Sequence, residues 1–199
     1  MSLPPNEIVA LLIAVSFAAG LNVYATVSTL GLLGHFGAIG LPPGLHLLAG
    51  WPIIIACAAL FAVEFLADKV PAFDLIWNAL HTFIRIPIAA LLAYRATAGL
   101  SPQEQLIATL AGGLIALAAH GGKTAVRAAV TASPEPFSNM SLSMGEDTLA
   151  VFLTWFATRH AYWAAGIVCM LLVVTLILVR WVVRAIKALF GGAERAIEA

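Results

Sequence analysis

Asp74, Asn78, His81 and Arg85 stand four, three and four residues apart. At 3.6 residues per turn that spacing puts a carboxylate, an amide, an imidazole and a guanidinium on one helix face. Such a stripe can pair charges, relay a proton or hold a polar solute. Its segment, Leu75 to Tyr94, is otherwise apolar and contains Pro87. At ~1.5 Å per residue, Arg85 falls about 16 Å beyond Asp74. That is near the middle of a hydrocarbon layer roughly 30 Å thick, too deep to snorkel out. Helix glue, through backbone carbonyls or one acid, is the competing role for Arg85.

Glu64 and Asp68, four apart, share a face of the preceding segment. Pro71 predicts a tight turn, so these two helices form an antiparallel hairpin. Glu64 then reaches the depth of Asn78 to His81, and a Glu64–His81 or Glu64–Arg85 contact is expected. Lys69 reads as a solvated loop charge. Further on, His120, Lys123 and Arg127 are three and four apart. Gly121 and Gly122 weaken that helix by about 1 kcal/mol each relative to Ala. A break there would aim a helix terminus and two cations at an anion; the alternative is a helix leaving the membrane with both cations at its surface. Asn22 interrupts the first apolar stretch and joins the candidate set. Glu146 and Asp147 read first as acids in the opening turn of a short helix, and second as site residues.

The elements that position these groups follow from composition. Of 199 residues, 62% are hydrophobic and 10% charged, and mean hydropathy is +0.99. No Asp, Glu, Lys or Arg occurs between Glu7 and Glu64. An ionisable group at membrane depth costs several kcal/mol and marks a functional site by default. Formal net charge is zero, which gives a nucleic-acid partner no electrostatic support. Cys57 and Cys169 lie in separate apolar runs and read as packing residues, without disulfide or metal site. The N-terminus lacks the basic region of a cleaved signal peptide.

The expected fold is all-α, a polytopic bundle in one membrane domain over residues 1–199. Five spans are predicted: Ile8–Phe36, Trp51–Ala67, Leu75–Tyr94, Glu104–Val130 and Ala161–Val183. The run from Glu146 to Thr158 is too short to cross and predicts a re-entrant or interfacial helix. Ser133 to Asn139 reads as a loop, and 186–199 as an amphipathic tail. Arg180, Arg184, Lys187 and Arg195 predict a cytoplasmic C-terminus in an inner membrane, with Arg95 on the same side. Trp51, Tyr94, Trp155, Tyr162, Trp163 and Trp181 fall near span ends, as interfacial anchors do. A faint repeat, Ala18–Asn22 against Ala118–Gly122, suggests inverted halves at 5–96 and 101–192.

Gly20 to Thr26, Glu64 to Pro87, His120 to Arg127, and Ser133 to Asn139 through Asp147 together resemble a bacterial family of small integral membrane proteins. It is catalogued as domain of unknown function 4126. The resemblance covers nearly the whole chain and implies a multi-span helical protein, but carries no activity or site residue.

The residues themselves point to a small permease, or a translocator of lipid headgroups or anions, with membrane lipids and a small anionic solute as partners. Homo-oligomerisation is left open, and no cofactor is expected. The alternative is a non-transporting scaffold or assembly subunit. An intramembrane enzyme ranks last, because no catalytic set is recognisable.

Overall fold

The computed structural model describes residues 4–67, 71–131 and 136–197, side chains of 71–76, 128–131, 136–139, 186 and 189–197 excepted. All described elements are helical. They are α1 (Pro5–Leu21), α2 (Val23–His35), a 3-10 helix (Pro43–Ala49), α3 (Trp51–Ala67), α4 (Pro71–Ala96), α5 (Pro102–Thr131), α6 (Pro136–Arg159) and α7 (Ala161–Ile197).

The first apolar stretch does not run straight through. At Asn22 the backbone is extended, with φ −149° and ψ 104°, and α2 turns back toward the end of the bundle where α1 began. The cross-contacts show the reversal. Asn6, at the start of α1, bonds Tyr162 at the start of α7, while Asn22 reaches Asp147, twelve positions before the end of α6. Beyond the bend, Leu30 of α2 lines the same cavity as Leu11, Leu12 and Val15 of α1. Thus α1 and α2 form a hairpin whose tip is Asn22. The run 146–158, expected as a short re-entrant or interfacial helix, is part of the longer helix α6.

From that hairpin the remaining helices alternate in direction. Along α2, Gly31 packs on Ile54 and His35 on Trp51, so α3 starts at the open end of the hairpin. Arg95, near the end of α4, meets Gly44 back at that same end. Ser16 lies against Gly112, and Leu21 reaches Lys123, so α5 runs parallel to α1. Two expectations lose support with this geometry. Arg95 shares an end with the N-terminus, not with the C-terminal end of α7. Corresponding helices of inverted halves would run oppositely, whereas α1 and α5 run together, so the repeat has no support. The stretch from 186 to Ile197, expected as an amphipathic tail, is helical and continuous with α7.

Two further local readings are corrected. The Gly121–Gly122 pair does not break α5, because a Cβ at Gly122 would strike Thr175 of α7; glycine serves close helix packing there. Pro136 opens α6 at the first-turn position proline tolerates, so residues 136–139 are helical. Glu146 and Asp147 therefore lie in mid-helix, not at an N-terminus.

The core is organised around α1, eleven of whose 17 residues are buried. Close approach depends on small side chains: a Cβ on Gly20 would lie 2.5 Å from the Ala116 carbonyl oxygen, and one on Gly112 would lie 2.8 Å from Ala93 Cβ. The exterior is apolar, with Ile55, Phe83, Ile107, Leu114 and Met170 among the exposed side chains. Polar interior and apolar coat fit a bundle embedded in a bilayer. By length and apolarity, α5 over Pro102–Arg127 and α7 over Ala161–Ala185 can cross a membrane; the 3-10 helix and α3, bent by 66°, make a third span if taken together. Trp51, Tyr94, Tyr162 and Trp163 are exposed around the open end of the hairpin, where an interfacial belt would sit. Cys57 is half-buried, and Cys169 lies on the outer face of α7.

Candidate functional site

The polar groups gather around the hairpin tip. Asn22 makes the bend tenable, because its side-chain oxygen accepts from Ala25 N–H at 2.9 Å and caps α2. Its amide nitrogen donates to Asp147 Oδ1 at 2.8 Å. The end of α1 leaves carbonyls without helical partners, and Lys123 Nζ lies 3.3 Å from one of them, Leu21 O. The same ammonium lies 3.2 Å from Glu146 Oε2 and 3.8 Å from Glu64 Oε1. Arg127 Nη2 donates to Glu146 Oε2 at 2.7 Å.

On the other side of the tip Arg85, fully buried, binds Glu64 through Nη2. Its Nη1 lies 3.2 Å from Asn78 Oδ1 and 2.8 Å from His120 Nδ1. A guanidinium only donates. His120 Nδ1 must therefore accept, which makes this imidazole neutral with its proton on Nε2. That proton points to Thr82 Oγ1 at 2.7 Å, and the hydroxyl passes its own to the Asn78 carbonyl at 3.2 Å. His81 is held differently: Nδ1 lies 2.7 Å from the Trp77 carbonyl, an acceptor, so it carries the proton. Its Nε2 meets Tyr24 Oη at 3.1 Å, and its ring lies against Trp77 with centroids 4.3 Å apart.

Of the candidate residues, Asn22, Glu64, Asn78, His81, Arg85, His120, Lys123, Arg127, Glu146 and Asp147 are brought together. Asp68 lies outside the described residues, and Asp74 is placed on α4 by its backbone alone. The sequence reading missed Tyr24, Thr82 and the Leu21 carbonyl. Tyr24 had a signal, as a hydroxyl two residues past Asn22 in an apolar run. Thr82 had one too, four residues after Asn78; the carbonyl had none.

Charge decides what this arrangement can do. Arg85, Lys123 and Arg127 face Glu64 and Glu146, and Asp147 is buried beside them on the Asn22 amide. Lys123 and Arg127 are thus engaged by Glu146 and do not form the open anion site expected from a broken α5. No group of three or more His, Cys, Asp or Glu with metal-holding geometry occurs among the described residues.

Two cavities approach the hairpin. A side groove of about 500 Å³ between α3 and α6 is walled by Phe61, Phe65, Phe152 and Trp155, with Asp147 in its lining. A cleft of about 330 Å³ opens at the other end, between the arms of the hairpin and the α6–α7 junction.

A family model described as "Domain of unknown function (DUF4126)" matches residues 9–181. No curated protein matches, and no solved structure does.

Proposed function

We propose that this chain, which belongs to the DUF4126 family, is a small permease or headgroup translocator whose charged network is the closed, proton-sensitive gate. One observation carries this reading: a broken hairpin is held at its tip by ionisable side chains from three other helices, His81 of α4, Lys123 of α5 and Asp147 of α6. Helices broken at mid-depth and facing polar groups are how transporters form solute and ion sites. A bundle needing only stability would do as well or better with apolar contacts there, because buried ion pairs rarely outperform them.

The ion pairs suggest the coupling. Among the described residues, a proton taken by Glu64 or Glu146 removes a counter-charge that Arg85, Lys123 or Arg127 now faces. A carboxylate or phosphate on the solute can then take the vacated role, so proton and anionic group enter together. Among the described residues, Arg85, Lys123 and Tyr24 face Glu64, Lys123 and Arg127 face Glu146, and Asn22 faces Asp147. In this topology α3 to α7 make five spans and α1–α2 a re-entrant hairpin, with the basic end of α7 toward the cytoplasm.

The test is proteoliposomes loaded with a pH-sensitive dye and exposed to an acid pulse with phosphate, glycerol 3-phosphate or L-amino acids outside. At least one solute should accelerate internal acidification, and Glu64→Gln should abolish the acceleration. If folded Glu64→Gln and Arg85→Leu variants move every solute at the parental rate, the transport reading is wrong. The closure of the Glu64–Arg85 pair favours a second reading, a non-transporting subunit in which charges only staple helices. Full recovery of stability in a double apolar substitution, with no flux in the parent, would select it.

A further inference from the structure

The cleft at the open end of the hairpin has the make-up of a binding site. Its volume, about 330 Å³, lies within the range of small-molecule pockets. Its floor is apolar: Leu12 and Val15 of α1, Leu30 of α2 and Leu92 of α4. Its rim carries Glu7 and Arg159. Among the described residues neither side chain makes an ion pair or hydrogen bond, although both line this one cavity. Opposite charges that share a wall yet do not meet leave room for a ligand between them.

The backbone repeats that polarity. The chain breaks at His160, so α6 ends and α7 begins on the cleft wall. The end of α6, at Ala157 to Arg159, presents carbonyls; the start of α7, at Ala161 to Trp163, presents N–H groups that no helical turn can satisfy. These termini carry opposite partial charges, negative and positive respectively. Arg159 and the α7 start form a pole for an anion, Glu7 and the α6 end a pole for a cation, and the floor takes an apolar body.

We infer that the Glu7–Arg159 cleft binds a zwitterion with an apolar body, an amino acid with an aliphatic side chain being the fitting size. Ammonium faces Glu7 and the α6 carbonyls, carboxylate faces Arg159 and the first N–H groups of α7, and the side chain lies on Leu12, Val15 and Leu30. The site deepens the transport reading by naming a solute class and its entrance. It can nevertheless be tested without flux.

The test is equilibrium dialysis of full-length protein in nanodiscs against three probes. L-leucine has both charges, 4-methylpentanoate lacks the ammonium and 3-methylbutylamine lacks the carboxylate. Leucine should bind saturably and more tightly than either fragment. Arg159→Gln should weaken leucine and 4-methylpentanoate about tenfold and spare the amine, the loss of one charge-assisted contact. Glu7→Gln should weaken leucine and the amine similarly and spare the acid. Val15→Trp, which fills the floor, should weaken all three, with circular dichroism confirming helicity in each variant. Absence of saturable leucine binding in folded parent protein overturns the inference, as does leucine binding indifferent to both charge substitutions. A proton-linked flux of phosphate without leucine binding would sink this site alone; leucine binding without any flux would sink the transport reading instead.

Discussion

At the tip of the α1–α2 hairpin five charges close on one another, Arg85, Glu64, Lys123, Glu146 and Arg127, whereas at its open end Glu7 and Arg159 share a cavity wall without pairing. The difference follows from dielectric. At the tip water is excluded, since Arg85 and Glu64 are fully buried, and an uncompensated charge there costs far more than at an interface. A charge there needs a counterpart, and the network ties α1, α3, α4, α5 and α6 together. Near the aromatic belt, water can solvate a carboxylate and a guanidinium separately, so both can be kept available. One region stores the lock and the other offers the handle, on the same two short helices.

The largest way to break this contrast is at Glu64. Glu64→Leu strands Arg85 in an apolar interior, and the expected cost is about 3–5 kcal/mol, read as a fall in thermal unfolding temperature in mild detergent. The Glu64→Leu/Arg85→Leu double variant should recover more than half of it. Glu7→Gln at the open end should change stability by less than about 0.5 kcal/mol. Equal losses at the two ends would show that the tip is no more desolvated than the rim, and the contrast would fail.

How much of this was legible depended on the range of the forces involved. The face of α4 was readable from spacing alone, because Asn78, His81 and Arg85 obey the helical period and a charge at that depth requires a partner. The predicted segment Trp51–Ala67 matches α3 because the sequence bounds it with Pro42-Pro43-Gly44 on one side and with Asp68, Lys69 and Pro71 on the other. The hairpin was not readable. Between Ile8 and Phe36 the bend residue is Asn22, and what fixes its direction is bonding to Asp147, Lys123 and His81, between 57 and 125 positions away in the chain. The same range limit misplaced α6: Ser141, Ser143 and Glu146 look like turn and cap residues locally, yet Ser143 is buried and Glu146 answers two cations of α5.

A second substitution sharpens the role of the tip by attacking its packing rather than its charge. Gly20→Val brings a Cβ against the Ala116 carbonyl at 2.5 Å, and the backbones of α1 and α5 must part. A loss of about 1–3 kcal/mol is expected, measured in the same unfolding assay. Smaller again is Asn22→Ala, which removes the α2 cap and the bond to Asp147 for about 1–2 kcal/mol. Because it loosens the bend without unbalancing charge, it should also raise proton leak in dye-loaded vesicles; unchanged leak would mean that the bend is not part of the gate.

The smallest effect separates propensity from packing on one helix. Gly121 and Gly122 are neighbours in α5, but a Cβ on Gly121 meets nothing within 4 Å, whereas one on Gly122 runs into Thr175. In a helix interior Ala is better than Gly by about 0.8–1.0 kcal/mol. Gly121→Ala should therefore raise the unfolding temperature, while Gly122→Ala should forfeit that gain and lower it. Had the pair marked a break in α5, as glycine content alone suggests, both substitutions would stiffen the break and shift stability in the same direction. Opposite signs at adjacent positions require a continuous helix pressed against α7, and that continuity is what carries Lys123 and Arg127 on one rigid face to the tip of the hairpin.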